Sequence, residues 1–320
     1  MPKINPRHLV VYALLLVVVV GAVVVNQRYR HDLQVAHERI SVGIIAQTKC
    51  GPIEYASVGS GAPVLVVHGA GGGFDQGLDF GAPLAKRGFR VVAMSRFGYL
   101  RTPLPNDASP SAQADAHVCL MDALGLQRTA IIGASAGAPS ALQFAIRHPD
   151  RCTALVLMVP AGYVPRADGA PSLKTPPGTD FLFDSALKSD FFFWVGPKFI
   201  RKTFIEAILA TPPEVVRTAS TEEQARIDTV IEHILPVTAR RLGLQNDAVV
   251  TKSLPRYDLE SIRVPTLAIS MADDLYGTYD VARYAVEHIP DARFVGYESS
   301  GHLWVGHQQE ILDQVTQFLR

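Results

Sequence analysis

The sequence has no excess of charge of either sign and very little cysteine. Thirty lysine and arginine residues balance thirty aspartate and glutamate residues over 320 positions, so no nucleic-acid partner is expected. The three cysteines are odd in number and lack the spacing of a metal site or a disulfide framework. We interpret Cys119 and Cys152 as small buried apolar residues. No internal repeat occurs, and nothing in the sequence calls for a metal or a cofactor.

What the sequence does contain is a long apolar stretch near its N-terminus. Seventeen residues from Leu9 to Val25 carry no charge, which is close to the shortest length that crosses a hydrocarbon layer of about 30 Å. The alternatives are a cleaved signal peptide and a buried core helix. No small-residue cleavage site follows directly, and the stretch has no polar face for packing. We therefore predict a membrane anchor over residues 1–30, followed by an amphipathic connector over 31–45.

Short apolar segments then alternate with helical patterns. The predicted strands are 53–59, 62–69, 89–95, 129–135, 154–160, 265–270 and 292–298. The predicted helices are 111–124, 138–148, 278–289 and 307–318. The first two strands flank a Gly-Ser-Gly turn signal and are predicted to be neighbours. This alternation predicts an α/β fold with a mostly parallel central sheet and helices on both faces.

Residues 161–255 interrupt this alternation. They contain many prolines, helical patterns without clear strands, and an aromatic cluster that runs from Phe191 to Trp194. We predict that this segment is a helical cap over one edge of the sheet, inserted between two parts of the core at 46–160 and 256–320. The aromatic cluster is interpreted as packing between cap and core; an apolar substrate pocket and contact with a membrane surface are the alternatives.

A Gly-Ala-Ser-Ala-Gly motif follows the strand at 129–135 and precedes a helix. It matches the G-x-S-x-G nucleophile elbow, in which a serine lies at the tip of a sharp strand-to-helix turn. Glycines at positions 133 and 137 would let the strand and the helix approach each other. Pro139 falls in the first helical turn, where a missing N–H costs little. Ser135 is therefore predicted to be a nucleophile; a purely structural tight turn is the alternative.

The order of Ser135, an aspartate and a histidine, with VVHGAGGG upstream, resembles the α/β-hydrolase fold family, in particular its capped HG-type serine hydrolases. The resemblance covers Ile53 to Arg320. It implies a histidine base after the last strand, which is His302 in FVGYESSGHLWVG. It also implies an acid after the strand at 265–270, where MADDLYG offers Asp274 and Asp273. We favour Asp274, although Met271 stands where the family has glycine, so the assignment stays open.

The HGAGGG motif, from His68 to Gly73, would supply the oxyanion hole of such an enzyme. By resemblance, the N–H groups of Ala70 and Ala136 hold the oxyanion, with Gly71 as a substitute for Ala70. His68 is expected to be a buried structural partner rather than a catalyst. The loop lacks the Lys-Ser/Thr of a phosphate-binding P-loop.

These features together predict an enzyme that transfers acyl groups in two steps. The anchor and the apolar cap favour a carboxylic ester of a lipophilic small molecule as substrate. A carbon–carbon bond hydrolase or a perhydrolase would use the same triad, and a non-catalytic, membrane-tethered binding scaffold is the alternative from another class. Basic residues flank the apolar stretch at both ends, and we favour a periplasmic or otherwise extracytoplasmic catalytic domain.

Overall fold

An eight-stranded mixed sheet forms the centre of the computed structural model, which describes residues 6–165 and 188–320. The strands follow the order β1-β2-β4-β3-β5-β6-β7-β8. β2 runs antiparallel to β1 and β4, and all other neighbouring pairs are parallel. The strands are β1 (Ile44–Thr48), β2 (Gly51–Val58), β3 (Ala62–Val67), β4 (Phe89–Met94), β5 (Thr129–Ala134), β6 (Cys152–Met158), β7 (Thr266–Met271) and β8 (Ala292–Tyr297). The predicted α/β class with a mostly parallel sheet is confirmed.

The prediction that β2 and β3 are neighbours is wrong, because β4 lies between them. The Gly-Ser-Gly turn packs against the start of β4 instead of closing a hairpin. Gly59 and Gly61 have φ angles of 77° and 111°. A Cβ atom on Gly59 would lie 2.4 Å from the Phe89 carbonyl oxygen, and one on Gly61 would lie 2.2 Å from that of Gly88. The glycines therefore serve a close backbone approach.

Helices cover both faces of the sheet. The helices are α1 (Pro6–Ser41), α2 (Phe74–Ala85), α3 (Pro110–Ala123), α4 (Ala138–Arg147), α5 (Asp190–Phe199), α6 (Arg201–Ile208), α7 (Pro213–Thr218), α8 (Thr221–His233), α9 (Arg241–Val250), α10 (Thr278–His288) and α11 (Gln308–Leu319). α3, α4 and α10 pack on the face that buries Leu65 and Val67, whereas α2 and α11 pack on the face of Val64 and Val66. This division follows from the two-residue period of a strand.

All four helices predicted for the core lie within one residue of their predicted ends, but the sequence pattern does not predict α2 or β1. α2 contains two glycines and a proline, which disfavour a helix. Its glycines are needed because α2 lies close to the sheet. A Cβ atom on Gly77 would be 2.8 Å from the Ala93 Cβ, and one on Gly81 would be 2.7 Å from a methyl group of Val91.

The helices α5 to α9 lie between β6 and β7 in the sequence and share a hydrophobic cluster of their own. This cluster includes Phe193 and Phe204 from α5 and α6, and it extends to Leu303 and Val305 in the loop after β8. These helices correspond to the described part of the predicted cap segment, and residues 166–187 of that segment lie outside the described residues. The division of the chain into core and cap stays a prediction.

α1 is one continuous helix of 36 residues that includes residues 6–30 of the predicted anchor and most of the predicted connector. The side chains from Leu9 to Val25 are exposed, and α1 is long and apolar enough to cross a membrane. Exposure falls at Tyr29, Leu33, Ala36 and Ile40, which share one face of the helix. From Tyr29 onward α1 therefore packs on the domain, while the apolar stretch from Leu9 to Val25 does not.

The interpretation of Cys119 as a small apolar residue is wrong. Its sulfur atom forms a disulfide with Cys50, which joins the turn between β1 and β2 to α3. A sequence separation of 69 residues gives no local signal of such a pair. Cys152, in contrast, is buried at the start of β6, and burial raises the pKa of its thiol to about 12.

Candidate active site

Ser135 lies at the sharp turn between β5 and α4, with a φ angle of 48°. A non-glycine residue seldom adopts this left-handed conformation, and such strain is common at functional sites. The flanking glycines are required sterically. A Cβ atom on Gly133 would lie 2.6 Å from the Ala141 Cβ, and one on Gly137 would lie 2.6 Å from the Val67 carbonyl oxygen.

The structure brings Ser135, His302 and Asp274 together in a chain of two hydrogen bonds. The distance from His302 Nε2 to Ser135 Oγ is 3.0 Å, and that from His302 Nδ1 to Asp274 Oδ2 is 2.7 Å. Both His302 and Asp274 are buried. With the proton on Nδ1 held by the carboxylate, Nε2 can accept the hydroxyl proton of the serine.

Further hydrogen bonds orient the carboxylate of Asp274. The Tyr276 N–H donates to Oδ1 at 2.9 Å, and the Thr278 hydroxyl donates to Oδ2. The Tyr276 ring also meets the His302 imidazole edge to face, with centroids 5.1 Å apart. The turn forms without the glycine that the resemblance implies, because the carbonyl of Met271 accepts the Asp274 N–H at 3.1 Å.

Asp273 has a different environment, although it is the next residue in the chain. Its carboxylate accepts the N–H groups of Ser300 and Gly301 at 2.9 and 2.8 Å, and the Ser299 hydroxyl at 2.9 Å. These three residues lead directly into His302. Asp273 therefore holds the loop that carries the histidine, whereas Asp274 contacts the histidine itself.

The HGAGGG loop passes directly beside the serine. A Cβ atom on Gly69 would lie 3.1 Å from the Ser135 Cβ, and Ala70 lines the same cavity as Ser135. The N–H of Gly71 donates to the Tyr99 hydroxyl at 3.3 Å, so it is already engaged. No residue in the described ranges accepts the N–H of Ala70. This geometry favours Ala70 over Gly71 as a donor to a reacting oxygen.

A buried arginine, Arg96, holds the start of this loop. Its guanidinium donates to the carbonyls of His68 and Gly69 at 2.9 and 3.1 Å, and forms a bidentate ion pair with Asp247 at 2.7 and 2.6 Å. The backbone N–H of Arg96 donates to His68 Nε2 at 2.9 Å. Burial and the charge of Arg96 hold the pKa of His68 well below its ordinary value. The structure thus agrees with the structural role expected for His68.

Asp247 belongs to α9, so this ion pair joins the inserted helices to the loop. Tyr99 extends the connection, since its hydroxyl donates to Asp247 Oδ2 at 2.5 Å and accepts the Gly71 N–H. Sequence reasoning missed this network. The ion pair spans 151 residues, and a single sequence contains no signal that pairs charges so far apart.

A second buried arginine, Arg240, holds the other end of the loop. It donates to the Gly72 carbonyl at 2.6 Å and forms an ion pair with Asp75 at 2.7 Å. Burial alone would raise the pKa of Asp75, but the charge of Arg240 lowers it below its ordinary value. Arg39, near the end of α1, also reaches Asp75 at 3.3 Å and the Leu235 carbonyl at 2.5 Å. The N-terminal helix is therefore bonded to the same network.

A cavity of about 340 Å³ opens above Ser135 and His302. Its walls are mainly apolar and come from both the core and the inserted helices. Large contributors are Phe80, Phe193, Leu209, Ile234, Leu244 and Trp304. The charged side chains among the described lining residues are engaged with one another or with neighbours: Arg226 pairs with Glu223, and His233 pairs with Asp79.

No group of three or more histidine, cysteine, aspartate or glutamate side chains in residues 6–165 and 188–320 is arranged to hold a metal ion.

Comparison with known proteins supports the resemblance to the α/β-hydrolase fold family. A family model described as the α/β hydrolase fold matches residues 62–199. An α/β-hydrolase fold protein from Nakamurella multipartita has a TM-score of 0.66 and 26% identity, covering 87% of this chain and 98% of its own. An esterase from Exiguobacterium antarcticum has a TM-score of 0.65 and 21% identity, with coverage of 87% and 98%. This chain has the α/β-hydrolase fold, and the resemblance to the α/β-hydrolase fold family is confirmed.

Within this family, a curated relative carries a defined activity. A 2-hydroxy-6-oxononadienedioate/2-hydroxy-6-oxononatrienedioate hydrolase of Paraburkholderia xenovorans is 28% identical over 83% of this chain and 90% of its own length. The protein is thus a hydrolase of the α/β fold.

Proposed function

We propose that this protein is a serine hydrolase that cleaves a carboxylic ester of a lipophilic small molecule through an acyl-enzyme on Ser135. The observation that carries this proposal is the hydrogen-bonded chain from Ser135 through His302 to Asp274, at the floor of an apolar cavity. A non-catalytic scaffold would need none of these contacts.

The proposed reaction has two steps. His302 Nε2 removes the proton of Ser135, and the alkoxide attacks the ester carbonyl. The N–H groups of Ala70 and Ala136 hold the oxyanion; losing one such donor typically costs about 3 kcal/mol of transition-state stabilisation. His302 then protonates the leaving alcohol, and a water molecule, deprotonated by the same nitrogen, releases the acid. Asp274 holds the imidazole tautomer and stabilises the imidazolium without taking the proton.

The cavity supports an uncharged, apolar substrate. Its volume lies at the lower end of the range for small-molecule sites. The guanidinium of Arg226 is occupied by Glu223 and by the Leu303 carbonyl at 2.7 Å, so this cation is not free to bind a carboxylate. A neutral ester needs no such partner.

Carbon–carbon bond hydrolysis is the second candidate function. It is favoured by the sequence similarity to the nonadienedioate hydrolase, whose named substrates carry two carboxylates. The same serine, histidine and aspartate would serve this reaction. The two candidates therefore differ in the substrate that the cavity accepts rather than in the residues that react.

We further propose that residues 161–255 form a cap and that α1 anchors the protein in a membrane, with the catalytic domain outside the cytoplasm. The exposed apolar stretch of α1 from Leu9 to Val25 supports the anchor. The disulfide between Cys50 and Cys119 supports the location, since disulfides persist mainly in oxidising compartments. A reporter enzyme fused to the C-terminus, active on only one side of the membrane, tests the orientation.

The central experiment uses the full chain in detergent with a fluorophosphonate probe and a series of esters of increasing acyl length. Wild-type protein should be labelled and should hydrolyse the esters, and Ser135→Ala should lose both activities, by about 10⁴-fold or more in kcat. Ser57→Ala, which changes an exposed serine on β2, is the matched control and should behave as wild type.

Two results would contradict the proposal. Unlabelled wild-type protein would favour the scaffold, and labelling that persists in Ser135→Ala would place the nucleophile elsewhere. A dienedioate substrate, assayed in parallel, separates the two reactions: faster turnover of the dienedioate than of every ester would favour carbon–carbon bond hydrolysis.

A further inference from the structure

An aromatic cluster joins the base of the N-terminal helix to α5. It consists of Tyr29, Phe191, Phe192 and Trp194, and we call it the anchor-base cluster. The Tyr29 ring lies 5.2 Å from that of Phe191 and 5.6 Å from that of Trp194, and the Phe191 and Phe192 rings are 6.1 Å apart. The Trp194 indole N–H donates to Asp32 on α1 at 2.7 Å. These contacts fix α5 against α1.

The position of this cluster along α1 sets its depth relative to a membrane. Tyr29 is four residues beyond Val25, the last residue of the apolar stretch, which corresponds to about 6 Å along a helix. If the apolar stretch fills the hydrocarbon layer, Tyr29 lies at the level of the lipid headgroups. Aromatic side chains with a polar group are enriched at this level, because they present an apolar body and a wet end.

The attachment of α1 to the domain is rigid enough to transmit this depth to α5. Ala36 is buried in the hydrophobic cluster of the inserted helices. Arg39 forms hydrogen bonds with Asp75 and with the carbonyls of His233 and Leu235. The domain therefore does not hang from a free tether, and the direction of α1 is fixed relative to the domain.

α5 has two different faces. Phe193 is 2% exposed and lines the cavity above Ser135, whereas its neighbour Phe192 is 62% exposed. Lys198 lies on the same helix, with its ammonium 4.3 Å from the centroid of the Trp194 ring. An exposed phenylalanine and a lysine on one helix suit the boundary between acyl chains and anionic headgroups.

We propose that α5 rests on the surface of the bilayer that α1 enters, with Phe192 inserted at the boundary between headgroups and acyl chains. This inference rests on the proposed anchor and deepens the proposed function. α5 then separates the cavity from the bilayer, and the substrate class is an ester that partitions into the membrane.

The first test measures depth in the membrane directly. The full chain carrying Phe192→Cys is labelled with an environment-sensitive fluorophore and reconstituted into vesicles of phosphatidylcholine and phosphatidylglycerol. The native cysteines do not interfere, because Cys50 and Cys119 form a disulfide and Cys152 is buried. Lipids with a spin label near the headgroup end of the acyl chain should quench the fluorophore at least twofold.

The matched control places the fluorophore at Glu287→Cys, on α10, which packs against β7 and β8 at the opposite edge of the sheet from β1. This label should not be quenched. Equal quenching at the two positions, or none at position 192, would overturn the inference. Neither readout depends on hydrolysis, so the inference fails separately from the proposed enzyme activity.

The second test asks whether this contact matters for turnover. Phe192→Asp should lower the hydrolysis of a long-chain ester dissolved in vesicles several-fold, while hydrolysis of a short water-soluble ester should stay at the wild-type rate. Phe192→Leu should retain activity on both. Equal activity of Phe192→Asp and wild type on the vesicle substrate, or an equal loss on both substrates, would contradict the inference.

Discussion

The two sides of Ser135 are held in place by different means. On one side, a turn and hydrogen bonds between segments 27 and 28 residues apart position the carboxylate and the imidazole: Asp274 forms hydrogen bonds within its own turn, and Asp273 holds the loop before His302. On the other side, the HGAGGG loop is held by buried ion pairs between segments that are 151 and 165 residues apart. The carboxylates on the first side thus bond segments that are much nearer in the sequence than those joined by the arginine ion pairs on the second side.

The largest expected effect distinguishes Asp274 from Asp273, which are adjacent residues on the side of Ser135 that carries the imidazole. Asp274→Asn should lower kcat on an ester by about 10⁴-fold, because the amide no longer selects the imidazole tautomer that accepts the serine proton. Asp273→Asn should lower kcat by only about tenfold, because it weakens the hydrogen bonds to Ser300 and Gly301 without touching the imidazole. Steady-state kinetics on the full chain in detergent measure both.

These two variants are each other's control, since they make the same change at neighbouring positions. Equal and large losses would mean that the histidine loop is as important as the acid, and the reverse ranking would make Asp273 the acid. Far-ultraviolet circular dichroism should show the same helix content in both variants.

The same distinction explains which parts of the molecule could be predicted from sequence. The turn at Ser135 requires small residues at fixed offsets, and those glycines are visible in the sequence. Met271 at the position where glycine was implied left the acid open, and only the contact between Asp274 and His302 favours one candidate. The catalytic roles of these residues stay predictions.

The features that sequence reasoning missed depend on distant partners. Nothing near Arg96 or Arg240 shows that these two arginines are buried, since a charge is usually exposed unless a partner compensates it. The disulfide of Cys119 was missed for the same reason. In the fold, β1 was missed because it is a short, largely exposed edge strand. The prediction that β2 and β3 are neighbours was wrong because the position of β4 depends on sheet packing.

A variant of Asp247 tests the side held by the tertiary fold. Asp247→Asn leaves the Arg96 guanidinium buried without a counter-charge, and breaking a buried ion pair typically costs about 3–5 kcal/mol of stability. Because Arg96 also bonds the carbonyls of His68 and Gly69, kcat should fall as well, by about 10- to 100-fold. Urea unfolding of the full chain in detergent gives the first quantity, and ester kinetics give the second.

Asp228→Asn is the matched control, because Asp228 pairs with Arg201 in the same inserted segment but is about half exposed. Its effect on stability should stay within about 1 kcal/mol. If Asp247→Asn lost stability but kept the wild-type kcat, the ion pair would support the fold without positioning the loop, and the contrast between the two sides would disappear.

The smallest expected effect concerns pH and uses two buried histidines, of which only one lies in the HGAGGG loop. His68 lies in the HGAGGG loop. His117 lies on α3, with its ring 3.1 Å from the Ser140 hydroxyl of α4. Burial lowers the pKa of His117 to about 3 and that of His68 well below 6.5. Both imidazoles are therefore neutral in the folded state but bind a proton near pH 6.5 when the chain unfolds.

Because the unfolded state binds more protons, stability should be retained above pH 6.5 and should fall as the pH decreases below it, by up to about 1.4 kcal/mol per pH unit for each histidine. Urea unfolding at several pH values should show a shallower decrease in both His68→Gln and His117→Gln than in wild type. Only His68→Gln should also lower kcat at neutral pH, because only His68 contacts the loop. An equal kcat in the two variants would show that the HGAGGG loop keeps its conformation without the imidazole. The ion pairs of Arg96 and Arg240 would then be sufficient to hold the loop.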